Sequence, residues 1–555
     1  MRIGTMPGST TLHFDVVLSP RNPAALTKYA DAVSTPGSPL YRHYLAAGQF
    51  PKLFGPTGAT ITSVYAALRA RGLNPGAIDS GHLSIPVAAT VGQVDSAFGV
   101  SMARYRLAGG QVGYANTGAL RMPASVAGAI QAVIGLDNLN LQRPLMTGPS
   151  RASGTKAAQP AVPAVPASGP RACAASLNAQ AAFKSGTGFT SYNYTQLAFA
   201  YEFNGLYSLK DFGRGVSIGI VEFGEPNSGT DIAAFQRCYH THAKVSYVHV
   251  DGFHKTGFGQ GEAALDIETV VALAPNAHVI VYQAPNTGRG AYDEYKTIVN
   301  KDKVRVVSVS YGLCEEGEPR TAARAVTTLY KKAAVQGQTI VASSGDAGSE
   351  ACFPFNGHLS VNFPASDPYV LGVGGTAITK LAKRPGEVVW NDGYDGHGAG
   401  GGGKSKIFGE PKYQTSFKIH SGKAREVPDV SANGDPETGY MYFHHRQWSD
   451  IGGTSAAAPL WAALLALTDA RCPRFPVGWA NSSIYYAASS HVKATVINDI
   501  AAFPSTFPDN VNNNYLHFTP GHPYPVLNGY DAATGLGSPL GVVLSGVLCR
   551  LDKRK

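Results

Sequence analysis

Ser455 stands in GGTSAAAPLWAALLALTDA, directly after Gly452 and Gly453 and just before a long apolar run. The glycines allow a tight turn and the run reads as a helix, so the hydroxyl sits at a helix N-terminus, where free amides and the helix dipole favour a developing negative charge. That is a nucleophile's position; a serine that only caps the helix is the plain alternative. A serine nucleophile needs a base within hydrogen-bond reach, usually histidine. None of the 16 histidines stands in a His-Gly-Thr context and no HExxH offers a zinc site. His240 with His242, and His444 with His445, read as surface or loop pairs rather than ligands.

A different base is available in GQGEAALDIETVVALAP, whose periodicity is helical. Glu262 and Asp266 are four residues apart and therefore roughly 40° apart on one helix face, whereas Glu268 is turned away and reads as a solvated or structural carboxylate. No Lys or Arg lies one helical turn from the pair to neutralise it. Two carboxylates on one face repel unless they share a proton, which raises one pKa and leaves a pair able to hold and pass a proton in mild acid. Two further acids lie where strands end: Asp346 follows TIVASSG and Glu222 closes VSIGIVEF.

The elements that must position these groups follow from the rest of the chain. At 555 residues the chain exceeds one ordinary core, and two folded units are expected. Residues 1–144 alternate strand-like runs (TLHFDVVL, HLSIPVAAT) with helical ones (NPAALTKYADAVS), which predicts a small α+β sandwich. Residues 145–171, rich in Pro, Ala, Ser and Gly, read as an exposed linker open to proteolysis. From residue 172 to 555, apolar β-branched runs (VSIGIVEF, HVIVYQ, VRVVSVSYG, TIVASSG, YVLGVGG) recur between helical stretches. Strands of that kind predict an α/β doubly wound, mostly parallel sheet, with reactive groups beyond its carboxyl ends.

The net charge of +9 does not point to nucleic acid. Residues 1–150 carry 11 Lys and Arg against 5 Asp and Glu, while residues 172–555 hold 32 of each sign, so no clustered phosphate-binding face is indicated. No apolar stretch is long enough to cross a bilayer. GAGGGGKS, at residues 398–405, satisfies a phosphate-loop pattern but runs on into KIFGEPKYQ instead of opening a helix. Gly401, Gly402 and Gly403 read better as a glycine-rich edge that pairs with substrate backbone. All six cysteines follow the linker, an even number without CxxC spacing, which favours disulfides and an oxidising compartment. Spacing does not determine their pairing; Cys314 with Cys352 and Cys472 with Cys549 are the expected pairs. Residues 1–20 read as strand rather than as a leader, so the export signal is expected upstream of, or already removed from, this sequence.

Taken in order, GEAALDIE, SSGDAG and GGTSAAAP resemble the sedolisin family of serine-carboxyl peptidases, whose catalytic domain has a subtilisin-like α/β fold. SPLYRHYL, FGPT and AVIGLDN resemble the activation prodomain that precedes such enzymes. The resemblance implies an autoprocessing zymogen of a secreted, acid-acting endopeptidase, monomeric, whose partners are polypeptide substrates and its own inhibitory prodomain. It implies that Glu262 takes the proton of Ser455, that Asp266 orients Glu262, and that a protonated Asp346 donates to the oxyanion. Glu222 extends the acid network, and Tyr311 stands where relatives often carry Trp. It also implies one structural Ca²⁺, held by Asp499 and Asp531 side chains and the carbonyls of Ile500, Leu527 and Gly529. The usual glycine at the first of the paired carbonyl positions is here Leu527.

Overall fold

The computed structural model describes residues 1–107, 110–148, 168–223, 228–253, 259–393, 397–417, 423–474, 476–489, 496–501, 513–516 and 524–551. The chain begins with two antiparallel three-stranded sheets. Thr11–Leu18 lies between Ser84–Thr90 and Ile130–Ile134, and Met102–Arg106 lies between Arg2–Thr5 and Val112–Asn116. Leu12, Phe14, Val16 and Leu18 point into a core shared with Val64, Leu68, Val94 and Phe98, as the alternation of that strand predicts. Its other face is buried too: Val17 joins the large core of the following unit, and Asp15 is fully buried. The predicted sandwich is present, and its outward face is a docking face.

The larger unit is built on an eight-stranded sheet. From one edge it runs Gly386–Val389, Val370–Lys380, Thr339–Ser343, Val306–Val309, Ser217–Phe223, His278–Ala284, Lys244–His249, and Val430–Asn433 also pairs with Val370–Lys380. Only Gly386–Val389 is antiparallel; the other pairings are parallel. Because the central strands are covered on both faces, they read as continuous Val and Ile rather than as alternation. Helices Gln260–Leu273 and Thr454–Arg471 pack against each other and are almost wholly buried, which explains their lack of a polar stripe.

Three disulfides are formed, Cys314–Cys352 and Cys472–Cys549 as expected, and Cys173–Cys238 in addition. Residues 404–409 continue as a strand, Gly403–Gly409, not as the helix a phosphate loop requires. Of the expected linker, residues 149–167 lie outside the described residues. Its first residues, 145–147, are not exposed as predicted: they are half-buried in the cleft of the larger unit.

Candidate active site

Three loops leaving the carboxyl ends of neighbouring parallel strands meet the N-termini of two helices. Ser455 is the second residue of Thr454–Arg471, whose cap is Gly453 at φ 106°. That left-handed backbone excludes a side chain, and a Cβ there would stand 2.7 Å from Asp346 Oδ2. Ser455 is therefore not the cap; its amide is one of the free donors of the first turn. Glu262 lies in the first turn of Gln260–Leu273, and Asp266 follows one turn on, so the helix lays both acids along the face that meets the serine helix.

Glu262, Asp266 and Glu222 are all fully buried. Among the described residues no cation pairs with them, and burial followed by the charge of Asp266 drives the Glu262 carboxyl well above its usual range. Burial and Asp266 do the same to Glu222, and burial alone to Asp266. An acid cluster of this kind holds shared protons rather than full charges. Ser310 Oγ donates to Asp266 Oδ1 at 2.7 Å, and the Tyr311 hydroxyl donates to Glu222 Oε2 at 3.1 Å. Both Glu262 oxygens lack a hydrogen-bond partner. The Ser455 hydroxyl stands near enough to counter part of the upward push on Glu262, but it donates to the carbonyl of Ser310 at 3.3 Å. Among the described residues no imidazole bonds to it.

Asp346 sits on the loop after Thr339–Ser343 and is half-buried. Its Oδ1 accepts from the Thr454 amide at 2.8 Å and the Thr454 hydroxyl at 2.9 Å, and burial pushes its pKa up to about 7. Its Oδ2 accepts from the hydroxyl of Thr147 at 3.0 Å.

Thr147 belongs to a segment that crosses the whole site. Arg143–Pro144 pairs antiparallel with Tyr311–Cys314. The Leu145 amide donates to Ser310 O at 3.0 Å, and the Leu145 carbonyl accepts from the Ser455 amide at 3.0 Å. Thr147 and Gly452 exchange amide-to-carbonyl bonds of 3.0 and 2.8 Å. Just upstream, Gln142 and Asn286 exchange bonds of 2.9 and 2.8 Å. The chain thus lies across Ser455 as an extended peptide.

One expectation needs correction, and Glu268 falls on the structural one of its two readings. Gly401 to Gly403 offer no open edge: all three are buried, with the Gly401 amide on Gly345 O at 2.7 Å and the Ser344 hydroxyl on Gly401 O at 2.6 Å. They brace the Asp346 loop, while Tyr311–Cys314 and Gly452 hold the peptide. Glu268 is not solvated; it is fully buried and accepts the Phe443 amide at 2.7 Å, which leaves it a structural acid. The sequence reading also missed Glu294, buried and bonded to the Glu222 amide at 3.2 Å, and Thr454, which ties Asp346 to the serine helix. Thr454 was adjacent to the nucleophile, and its position was the available signal; Glu294 carried none.

The remaining expected residues lie apart from this centre. Asp499 Oδ2 accepts the Gly529 amide at 2.8 Å, and Asp531 Oδ2 accepts the Leu527 amide at 3.1 Å. These bonds draw Asp499, Leu527, Gly529 and Asp531 together around the 527–531 turn, and Ile500 follows Asp499 in the chain.

Residues 1–139 match the Pro-kumamolisin activation domain and residues 252–522 the Subtilase family. Kumamolisin of Bacillus sp. (strain MN-32) is 34% identical over 84% of this chain and 79% of its own length. The chain belongs to the sedolisin family. Sedolisin of Pseudomonas sp. (strain 101) is 30% identical over 95% of this chain and 85% of its own length. The solved Pseudomonas sedolisin, a serine-carboxyl proteinase complexed with two molecules of pseudo-iodotyrostatin, superposes with a TM-score of 0.57 at 27% identity, covering 64% of this chain and 98% of that one. As a sedolisin-family precursor, the chain is a serine-type peptidase zymogen that acts on peptides and carries its own inhibitory prodomain.

Proposed function

We propose that this chain is the secreted zymogen of an acid-acting serine-carboxyl endopeptidase in which Ser455 is the nucleophile and Glu262 its base. Turning the Ser455 side chain from Ser310 O towards Glu262 brings the hydroxyl proton to an unpartnered carboxylate, and Asp266 holds that carboxylate's partner proton. Attack on a peptide carbonyl seated where Leu145 O lies puts the developing oxyanion at the Ser455 amide, beside Asp346. Asp346 serves there only when protonated, because an ionised carboxylate repels the charge it must stabilise. With its pKa near 7, it donates in acid and loses that ability as the pH rises. Glu222 and Tyr311 back the pair from behind.

The observation that carries this reading is the single carbonyl held by the serine amide with three buried acids alongside. A peptide bound on both sides of Ser455 favours internal cleavage over removal of short N-terminal pieces. Three disulfides fit an oxidising destination, and no described helix is long and apolar enough to cross a membrane. A protein digest between pH 3 and 8 tests the reading: activity should peak in acid and vanish in Ser455→Ala, and a maximum above about pH 7 would overturn the roles given to the acids.

Asp499, Ile500, Leu527, Gly529 and Asp531 are further proposed to hold one Ca²⁺. An all-oxygen set containing one carboxylate from the 527–531 turn and one from Asp499 fits a hard cation and suits no soft one. A bound Ca²⁺ would fasten the 527–531 turn to Asp499. Chelation should lower the melting temperature, and re-added Ca²⁺ but not Zn²⁺ should restore it; an unchanged melt would remove the site.

A further inference from the structure

The segment crossing the cleft has the geometry of a substrate rather than of a plug. Its amide and carbonyl at Leu145 are both used by the enzyme's backbone, on Ser310 O and the Ser455 amide, and pairing continues on either side through Arg143–Pro144 and Thr147. Only one peptide bond follows the carbonyl held at Ser455. The two side chains flanking that bond each rest on a glycine. A Cβ on Gly312 would stand 3.1 Å from Leu145 Cδ1, which is tight. A Cβ on Gly261 would stand 2.8 Å from Met146 Cε, so that the methionine's end would have to shift, 3.4 Å from its Sδ, and 3.9 Å from the Tyr442 hydroxyl. The missing side chain at Gly261 is therefore the space that the methionine occupies, and an unbranched, flexible thioether suits such a slot.

We infer that Leu145–Met146 is the bond this enzyme cuts in its own chain, and that Gly261 selects a long unbranched apolar residue immediately after the cut. This rests on the serine peptidase reading above. Ser455 Oγ bonds to the Leu145 carbonyl carbon, its proton goes to Glu262, and the carbon–nitrogen bond to Met146 breaks as that proton passes to the leaving amine. Water then attacks the acyl-enzyme, one of its protons returns to the serine oxygen through Glu262, and Leu145 leaves as a carboxylic acid whose remaining proton exchanges with solvent. No oxidant or other co-reactant enters.

The test uses the full chain, purified at neutral pH and shifted to pH 4. Intact-mass and N-terminal analysis should find a first product ending at Leu145 and its partner beginning at Met146, both absent in Ser455→Ala. A serine-dependent first cut anywhere else, including residues 149–171, overturns the assignment. Selectivity is read on the processed enzyme with the peptide NLQRPLMTGPS and its counterpart bearing alanine in place of methionine. The methionine peptide should be preferred by roughly tenfold in kcat/KM, and Gly261→Ala should erase that preference, as filling one methyl-sized space costs this order of discrimination. Equal losses on both peptides would make Gly261 merely structural and sink the selectivity claim. An unrelated denatured protein separates the failures: if it is digested while Leu145–Met146 stays whole, this inference falls alone; if nothing is digested, the peptidase reading falls with it.

Discussion

Two regions of the molecule bury carboxylates, and they do so in opposite ways. In the cleft, Glu222, Glu262 and Asp266 are sealed from water with no cation pairing with them among the described residues, and all three are driven towards their neutral forms. At the docking face of the prodomain, Asp15 is sealed as deeply but meets Arg289 at 2.9 Å and Lys296 at 3.0 Å, with Ser84 as a third donor. Asp293 shares the same two cations. The two acids titrate together; we place the charge on Asp15, to which Ser84 donates besides the two cations, and the raised pKa on Asp293, through burial and then the charge of Asp15. Paired acids hold two bodies together, whereas unpaired acids are poised to exchange protons.

The comparison can be broken most forcefully in the cleft. Glu262→Gln should cost about as much activity as Ser455→Ala, on the order of 10⁴-fold or more in kcat, because the two act as one unit. A glutamine variant retaining a tenth of wild-type turnover would contradict it. At the docking face, Asp15→Ala takes the prodomain's carboxylate away from Arg289 and Lys296 and leaves them Asp293, an acid of their own domain. It should destabilise the prodomain contact by about 3 kcal/mol, seen as a lowered first unfolding transition of the intact Ser455→Ala chain.

The pH responses sharpen the contrast because their signs differ. The cleft acids have folded pKa values raised above their ordinary 4.5 and 3.8, so their contribution to stability is full below those values and is lost as the pH rises through the folded ones. Asp15 is held below 3.8, so its contribution is present above that value and is lost as the pH falls through the folded one. Calorimetry of the intact Ser455→Ala chain should show the catalytic domain melting higher at pH 4.5 than at pH 7.5, with Glu222→Gln flattening the difference; a slope of the opposite sign would refute it. The smallest effect is expected from Tyr311→Phe, which removes one donor to Glu222. It should change kcat only several-fold but displace the pH profile of activity, while an unmoved profile would leave Tyr311 as packing alone.

Much of the cleft was legible because its chemistry is local in sequence. One helix face carries Glu262 and Asp266, one turn carries Ser455, and strand ends carry Glu222 and Asp346. What stayed hidden depends on backbone from distant segments. Residues 145–148 are small or flexible and carry no strand pattern, so nothing in them announces pairing with Ser310 and Gly452. A run of glycines looks the same whether it is an open edge or, as at Gly401 to Gly403, a buried brace. Asp15 reads as the polar half of an alternating strand, and its partners Arg289 and Lys296 lie more than 270 residues away.

The reciprocal bonds between Gln142 and Asn286 anchor the chain three residues before Leu145. A cut downstream of that anchor leaves the new carboxyl end in place, joined to a domain that still grips the enzyme. Latency then stops being a property of one molecule and becomes a matter of volume: in a confined space the severed piece returns, and only dilution or its digestion frees the cleft.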